Sequence, residues 1–188
     1  MPKVVDPMIR RKDIVAATSA LLASSGPEAL SLRKIAEKAG CTIGLINHWF
    51  SSKDDLIEAV LDDAANAAVE RCKKVLNNPD VTLEQVVCEF LPLDRKRTSE
   101  LRVWLVFWGL SIARPALRRG YKQRVAGMRE QLSNEIQCRG IVTKDVVQFV
   151  DVLMASLDGI AVNALADPEY WTATRQRETL RWLLQRIT

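Results

Sequence analysis

Apolar residues along this chain recur at the spacing of α-helices. Ile14, Ala17, Leu21 and Leu22 follow an i, i+3, i+7, i+8 pattern, which places their side chains on one helix face. No segment alternates apolar and polar residues for long enough to predict a β-strand. The pattern, with the turn residues that interrupt it, predicts an all-α fold of about nine helices, at residues 8–24, 32–39, 43–49, 53–76, 82–91, 98–113, 116–138, 143–165 and 170–186.

Two of the predicted helices in the first third are short and are joined by a tight turn. Ser31 and Thr42 stand immediately before them, where a hydroxyl can accept a hydrogen bond from an unpaired backbone N–H. Gly40, between the two helices, suits the left-handed conformation that ends many helices. Together with the longer helix before them, they predict a helix-turn-helix, whose second short helix enters the major groove of DNA.

The residue types on that second short helix fit such a role. Thr42, Asn47 and His48 are small or planar hydrogen-bonding groups that can reach base edges or phosphates. The apolar residues that can anchor the helix to its neighbours are Ile43, Ile46 and Phe50. Ile43, in the first turn, also counts among the candidate DNA contacts.

Phosphate groups have candidate partners on both sides of this helix. Ser31 and Lys53 each stand at a helix start, where backbone N–H groups and a suitable side chain can bind an anion together. Trp49 can donate its indole N–H to a further phosphate. Each residue also has an ordinary structural interpretation, as a cap, a solvated charge or a packing residue. Their occurrence within one 23-residue window favours DNA binding.

The distribution of charge supports this interpretation. The 188 residues are 48% hydrophobic and 27% charged, as in ordinary soluble proteins, with a net charge of +4. Residues 1–53 contain eight Lys or Arg and four Asp or Glu, so the whole positive excess lies there. This asymmetry indicates a polyanionic partner for the first third of the chain.

The sequence shows no signal for export, for a membrane span or for a metal site. The longest compact apolar run, Val103–Leu110, is much shorter than the roughly 20 residues that a membrane helix needs. The charged N-terminus lacks the apolar region of a signal peptide, so we expect a cytoplasmic protein with no membrane partner. The four cysteines form no CxxC pair and His48 is the only histidine, so we expect no metal, no cofactor and buried reduced thiols.

The segment LSLRKIAEKAGCTIGLINHWFSSKDDLIEAVL resembles the signature of the TetR family. It contains the apolar-x-x-IA-x-x-AG turn, Gly44, an aromatic-rich end to the second short helix and the spacing x-x-K-x-x-L. The resemblance covers about residues 8–60. It implies a DNA-binding domain at residues 1–55 and a ligand-binding and dimerisation domain at residues 56–188.

Two further segments, WLVFWGLSIARPALRRGYKQRVAGMREQL and the opening MPK…IRRKDIVAAT, resemble the choline-responsive, BetI-like subgroup of that family. This resemblance implies a homodimer, in which the last two long helices of each chain form a four-helix interface, and a ligand pocket within each body. The chain has Ala161 where choline-type sequences tend to have Trp. We therefore expect as effector either a choline-like cation or a larger apolar amphiphile.

Candidate ligand contacts lie in the body. The predicted helix at residues 98–113 is apolar nearly all round, so it should run through the middle of the body. Its aromatic residues Trp104, Phe107 and Trp108 are either plain core or the wall of an effector pocket. Asp158 or Glu100 is a candidate counter-charge for a cationic or amphipathic ligand.

Two apolar stripes predict where a dimer interface lies. One stripe is on the helix at residues 143–165 and consists of Val146, Val150, Leu153, Met154 and Leu157. The other is on the last helix and consists of Leu180, Leu183, Leu184 and Ile187. Both stripes exceed what the terminal helices of a monomer need to cover, which favours a two-fold interface.

Together these features predict a ligand-responsive transcriptional repressor. It would bind double-stranded, palindromic operator DNA as a homodimer and be released by a small-molecule inducer. We do not expect an enzyme, because the chain lacks a recognisable Ser/His/Asp or Cys/His arrangement, an HExxH motif and a phosphate-binding Gly-rich loop. The alternative is a helical interaction or scaffold protein that does not bind DNA.

Overall fold

The computed structural model describes residues 7–28, 30–140 and 145–187, with the backbone alone for residues 7–9 and 187. These residues contain nine α-helices and no β-strand, which confirms the all-α prediction. The helices are α1 (Pro7–Ser25), α2 (Leu32–Ala39), α3 (Ile43–Trp49), α4 (Lys53–Leu76), α5 (Leu83–Val87), α6 (Arg95–Ala113), α7 (Pro115–Cys138), α8 (Val146–Ala166) and α9 (Ala173–Ile187), and a 3-10 turn at Cys88–Phe90 follows α5.

The helices α2, α3 and α4 begin and end at the predicted residues because local capping interactions define them. The Lys34 backbone N–H donates to the Ser31 hydroxyl over 3.3 Å. The Leu45 backbone N–H donates to the Thr42 hydroxyl over 3.2 Å. Gly40 ends α2 with a φ of 60°. Side-chain chemistry within a few residues therefore shapes the helix-turn-helix.

The prediction was less accurate around α5 and α8. The helix predicted at residues 82–91 ends at Val87, and the 3-10 turn continues the chain. Thr82 and Gln85 form a capping box at its start: the Thr82 N–H donates to Gln85 Oε1 over 2.8 Å, and the Gln85 N–H donates to Thr82 Oγ1 over 3.3 Å. The predicted start of α8 at residue 143 lies outside the described residues, and α8 begins after an Asp145 cap.

The chain divides into two compact units. The first comprises the residues up to Ala65 together with Arg102–Gly120, and the second comprises Asn66–Leu101 together with the residues from Tyr121 onwards. The helices α4, α6 and α7 therefore contribute residues to both units. A functional boundary at residue 55 stays a prediction, because packing units need not coincide with functional domains.

The first unit has an apolar core. Its fully buried large side chains include Ile14, Leu22, Ile35, Ile46, Leu56, Ile57 and Leu61. Burying each of them contributes about 1.5–3 kcal/mol, which the conformational entropy of the chain opposes. The buried hydroxyl of Thr18 donates to the Ile14 carbonyl over 2.7 Å, so this polar group is satisfied inside the core.

The core of the second unit joins α5, α7, α8 and α9. Its buried residues include Leu83, Val87, Leu91, Leu132, Ile136, Phe149, Val150, Leu153, Met154, Leu157, Ile160, Leu180 and Leu184. Val146 and Leu183 pack against this cluster and are partly buried. The side chain of Ile187 lies outside the described residues.

This core overturns the two predicted interface stripes. Val150, Leu153 and Leu157 of α8 pack inside their own chain, as do Leu180 and Leu184 of α9. A side chain that is buried in its own chain is not available to a partner. An interface formed by these two helices would therefore use their exposed faces.

Among the described residues, α8 is the one helix that is long and apolar enough to cross a membrane by length and composition. The core helix of a soluble protein passes the same test. One face of α8 supplies eight buried residues to the core, and Asp151 and Asp158 lie on its other face. These features agree with a core helix that buries one face and exposes the other.

The cysteines differ in burial. Cys88 is buried, Cys41 and Cys72 are partly buried, and Cys138 is exposed. The expectation that all four thiols are buried is therefore wrong for Cys138, at the end of α7. Burial raises the pKa of Cys72 to about 11, so this thiol stays protonated at neutral pH.

Two glycine substitutions are expected to change stability in opposite directions. Gly40→Ala should destabilise the protein by about 1–2 kcal/mol, because an L side chain is strained at a φ of 60°. Gly127→Ala, inside α7, should stabilise it by about 0.5–1 kcal/mol, since helices favour alanine over glycine. An added methyl group meets no atom within 4 Å at either position. Urea unfolding followed by circular dichroism measures both, and equal effects would contradict the backbone explanation.

Candidate nucleic-acid interface and effector site

The helix α3 has one buried face and one exposed face. Ile46 is 1% exposed and Phe50 is 4% exposed, so both anchor α3 in the core of the first unit. The Arg11 guanidinium lies 5.2 Å from the Phe50 ring centroid. The exposed residues of this segment are Thr42, Ile43, Gly44, Asn47 and His48. The structure thus brings the predicted base-reading side chains together on one surface.

Ile43 does not anchor α3. Its side chain is 42% exposed, which makes the predicted anchoring role wrong and leaves that role to Ile46 and Phe50. An exposed apolar side chain at the start of a recognition helix can contact the methyl group of thymine. The exposure of Ile43 therefore agrees with its other predicted role, as a candidate DNA contact.

Lys53 ties the start of α4 to the segment before α2. Its ammonium Nζ donates to the Leu30 carbonyl over 2.9 Å. An ammonium has three N–H donors, so Lys53 keeps donors for a phosphate. The hydroxyls of Ser31 and Thr42 accept capping hydrogen bonds, and each keeps its own proton for donation. Capping and phosphate binding are therefore compatible at these residues.

Side-chain hydrogen bonds cap the start of α4. The Asp55 N–H donates to Ser52 Oγ over 3.0 Å. The Asp55 carboxylate accepts from the Ser51 N–H over 2.9 Å and from the Ser51 hydroxyl over 3.1 Å. The reciprocal partner is thus Ser51, one residue earlier than a capping box requires.

Trp49 does not present its N–H group to solvent. Its indole Nε1 is buried and has no hydrogen-bond partner among the described residues. The ring packs edge-on against His48, with 5.3 Å between the ring centroids. A phosphate contact by Trp49 would require the side chain to rotate, so this conformation does not support that predicted role.

The aromatic residues of α6 divide into two groups. Phe107 is 1% exposed and belongs to the core, whereas Trp108 is 37% exposed. Trp104 is partly buried and, four residues before Trp108, shares its side of the helix. The two tryptophans thus have surface that a ligand can reach, and all three ligand contacts on α6 stay predictions.

Glu100 is already paired with a cation. Arg71 donates to Glu100 Oε1 over 3.0 Å and lies 2.7 Å from Oε2. Arg71 and Arg97 both pair with Glu89, at 3.3 Å each. The four side chains are only 14–19% exposed, so this charge cluster is screened weakly by solvent. The expectation that Glu100 is a counter-charge for a ligand is therefore not supported.

Asp158 has no cationic side chain as a partner among the residues that the structure describes. Arg129 of α7 pairs with Asp151 of α8 over 2.9 Å. Tyr121 of α7 lies near enough to Asp158 for the charge of the carboxylate to act on its phenol. Burial raises the pKa of Asp158, and burial together with the negative charge of Asp158 raises the pKa of Tyr121. Asp158 is thus a partly desolvated carboxylate with one solvent-exposed side and an aromatic neighbour.

The described residues contain no group of three His, Cys, Asp or Glu side chains that could hold a metal ion. The two candidate sites are the exposed face of α3 and the carboxylate of Asp158. The first suits a polyanion with hydrogen-bonding edges, and the second suits an organic cation.

Comparison with known proteins identifies the family. Residues 14–60 match the family described as bacterial regulatory proteins, tetR family, and residues 79–188 match the BetI-type transcriptional repressor, C-terminal. An HTH-type transcriptional regulator BetI from Ectopseudomonas mendocina is 31% identical over 183 residues, which cover 94% of this chain and 92% of that protein. The chain is a TetR-family transcriptional regulator of the BetI type.

Solved structures agree with the fold of this BetI-type regulator. A transcriptional regulator from Rhodococcus sp. Rha1 has a TM-score of 0.86 and 27% identity, with 94% of this chain and 95% of that chain covered. A structure from Saccharomonospora viridis in complex with choline has a TM-score of 0.84 and 22% identity, with 95% and 97% covered. Family membership confirms the resemblance to BetI-like members of the TetR family and places the protein among transcriptional regulators rather than enzymes.

Sequence reasoning missed two residues of this regulator. Arg114, at the end of α6, donates to Asp54 Oδ1 in the first turn of α4 over 2.5 Å. Tyr121, on α7, is close enough to Asp158 to be affected by its charge. The partners in each pair are far apart in sequence, so no local motif marks them. The available signal was the charge of residues 101–129, which contain seven Lys or Arg and no Asp or Glu.

Proposed function

We propose that this BetI-type regulator is a cytoplasmic repressor that binds palindromic operator DNA as a homodimer and releases it when a small-molecule effector binds. The observation that carries the proposal is the exposed polar face of α3. A seven-residue helix has little stability by itself, so burial of Ile46 and Phe50 is what holds that face outward. The positive excess in residues 1–53 complements the charge of DNA.

The exposed residues divide into two roles. Asn47 and His48 would read base edges in the major groove, while Ser31 and Lys53 would position the protein on phosphates. Gly44 would let the backbone of α3 approach the DNA closely. A methyl group there would meet only the Thr42 hydroxyl, at 3.8 Å, so packing within the protein does not require this glycine.

The second face of α8 supports the proposal of a homodimer. Its exposed apolar residues are Val147, Ala155, Gly159, Val162 and Ala166. Val147 is 66% exposed, and Trp182 on α9 is 57% exposed. These side chains are small apart from the tryptophan, so the helices of a second copy can pack closely against them. A two-fold interface would hold two α3 helices about 34–36 Å apart, or a multiple of that distance, which explains a palindromic operator.

Asp158 supports an organic cation as the effector. A carboxylate beside a tyrosine ring attracts a quaternary ammonium group, whose methyl groups tolerate partial desolvation. The Saccharomonospora viridis structure, which contains choline, makes choline the first compound to test. The predicted contacts Trp104, Phe107 and Trp108 belong to the first unit, so the proposal for the second unit rests on Asp158 and Tyr121 alone.

Ala161 favours a second class of effector. It is 3% exposed and occupies a position where choline-type sequences tend to have Trp. Alanine fills less space than tryptophan and so leaves more room for a ligand beside α8. A larger apolar amphiphile with a cationic group is therefore the alternative to choline.

Release of the operator requires the effector to prefer one conformation. A ligand with equal affinity for the DNA-binding and non-binding states would shift nothing. Weakening operator binding 100-fold needs about 2.7 kcal/mol of coupling free energy. The helix α4 contributes residues to both units, so it is the element through which we propose the coupling to act.

Two substitutions in the helix-turn-helix are expected to have different effects on DNA binding. Asn47→Ala should change sequence preference, because a good base contact contributes about 1–3 kcal/mol. Lys53→Ala should weaken binding to all sequences and lower the salt dependence by about 0.9 per lost phosphate contact. Fluorescence anisotropy with DNA from upstream of the gene and with a scrambled duplex measures both effects. Lys96→Ala, which removes an exposed cation of the second unit, is the matched control.

Thermal unfolding of Lys53→Ala accompanies these measurements, because Lys53 also bonds to Leu30. If the wild-type protein bound neither duplex, the repressor proposal would fail and the scaffold alternative would replace it. An unchanged salt dependence for Lys53→Ala would show that the start of α4 does not face the backbone.

A charged substitution on α8 is expected to dissociate the dimer. Gly159→Arg should shift the protein to a monomer, because it places a bulky charge in the proposed interface. Gly109→Arg is the control: both glycines are exposed, and an added Cβ meets no atom within 4 Å at either position. Sedimentation at micromolar concentration gives the oligomeric state, and circular dichroism checks the helix content. A dimer of unchanged stability in Gly159→Arg would contradict the proposed interface.

Choline binding is expected to depend on the ionisation of Asp158. Burial raises the pKa of this carboxyl, so protonation begins at a higher pH than for an ordinary aspartate. Affinity should therefore be fully present at neutral pH and be lost as the pH falls through the raised pKa. Asp158→Asn should bind choline about 10- to 150-fold more weakly at neutral pH and show no such loss, since interactions with charged groups contribute about 1.5–3 kcal/mol.

Calorimetry with choline and with its uncharged tert-butyl analogue distinguishes charge from shape. Equal affinity for the two compounds, or a pH-independent wild type, would remove Asp158 from the effector site. Binding of an apolar amphiphile that Asp158→Asn leaves unchanged would favour the alternative class.

A further inference from the structure

A second cluster of positive charge lies outside residues 1–53, in a part of the chain whose net charge is zero. Residues 54–188 carry 19 Lys or Arg and 19 Asp or Glu, so this part of the chain is neutral as a whole. Within it, residues 101–129 contain seven of those cations and no acid. This stretch spans the end of α6 and the start of α7. We call Arg114, Arg118 and Arg119, which lie where the two helices meet, the basic corner.

The basic corner belongs to the same compact unit as the helix-turn-helix. Arg114 binds Asp54 over 2.5 Å, and Asp54 is the neighbour of Lys53 in the first turn of α4. Lys53 in turn bonds to Leu30, immediately before the cap of α2. A direct chain of contacts therefore connects the basic corner to the residues proposed to bind phosphates.

The three arginines of the corner have different partners. Arg114 neutralises the carboxylate of Asp54, which would otherwise repel a phosphate next to Lys53. Arg118 donates to the carbonyls of Ser111 over 3.2 Å and of Ile112 over 2.5 Å, so it closes the last turn of α6. These two side chains are therefore occupied within the protein.

Arg119 differs from both. It is exposed and has no hydrogen bond or ion pair with any residue in the part of the chain that the structure describes. It lies five residues after Arg114, which is about 8 Å along a helix axis at 1.5 Å per residue. An arginine side chain has a similar reach. The Arg119 guanidinium has the length to span the distance to the Arg114–Asp54 contact, and no partner within the described residues holds it elsewhere.

We propose that Arg119 is an additional phosphate contact for operator DNA, outside the helix-turn-helix. The proposal rests on the proposed DNA binding. A guanidinium binds phosphate oxygens through two N–H groups at once, and such a contact is independent of base sequence. Arg119 would thereby extend the DNA contact beyond the major groove that α3 enters, along the backbone next to the start of α4.

The test compares Arg119→Ala and Arg119→Lys with Lys96→Ala, an exposed cation of the second unit. Operator affinity is measured between 50 and 200 mM salt. Loss of one phosphate contact in each half of a dimer should lower the salt slope by about 1.8. The fourfold rise in salt should then weaken binding about 12-fold less for Arg119→Ala than for the wild type. Arg119→Lys should keep most of the slope, and Lys96→Ala should keep all of it.

Ethylation interference on the same DNA locates the contact. The wild type should be sensitive at one phosphate in each half-site that Arg119→Ala no longer senses, while the bases read by α3 stay protected. An unchanged slope and ethylation pattern would overturn the Arg119 contact and leave the repressor proposal intact. A changed response to effector with an unchanged slope would also overturn it. Failure of the wild type to bind DNA would overturn both.

Discussion

Two side chains at the start of α4 connect the elements of the first unit. Lys53 bonds to the carbonyl of Leu30, which precedes α2, and Asp54 pairs with Arg114 at the end of α6. Neither contact is strong by itself, because surface ion pairs contribute only about 0–1 kcal/mol. Their importance is geometric, since one turn of one helix contacts both the helix-turn-helix and α6. A displacement of α6 or of α4 would therefore disturb the contact with the segment that precedes α2.

The helix α8 is under a different constraint, because it carries apolar residues on both sides. One side is filled by large residues that form the core of the second unit. The other side carries small residues and two aspartates and is exposed. Asp158 and Gly159 are consecutive, so they point in directions about 100° apart around the helix axis. The same exposed face can thus serve a partner copy at Gly159 and an effector at Asp158.

Pairing of charges decides which acidic residues are available to a ligand. Glu100, Glu89 and Asp54 are each held by an arginine, and Asp151 is held by Arg129. Asp158 differs because it has no ion pair among the described residues, and burial raises its pKa. A carboxylate that the fold desolvates without neutralising is destabilised as an anion. An organic cation would relieve this cost, which is the physical basis for proposing Asp158 as part of an effector site.

The helices themselves follow from the sequence alone. Ser31, Thr42 and Gly40 define the helix-turn-helix through interactions that span at most four residues, so pattern reasoning found those ends to the residue. The burial of Ile46 and Phe50 followed from periodicity in the same way, although Ile43 was placed on the wrong side. A seven-residue helix has too few positions to define a face, so its orientation depends on what it packs against.

Tertiary structure decided which surfaces and charges remain available. Both sides of α8 are apolar, so periodicity could not distinguish the core side from the exposed side, and the predicted interface stripes were on the covered one. From the sequence, Glu100 and Asp158 are equally good candidates for the counter-charge of a ligand. Only the folded position of Arg71, which pairs with Glu100, distinguishes them. Arg114 and Asp54 are 60 residues apart, a distance that no helix pattern spans. Local structure is encoded within a few residues, whereas the pairing of charges and the covering of faces depend on distant segments that meet only when the chain is folded.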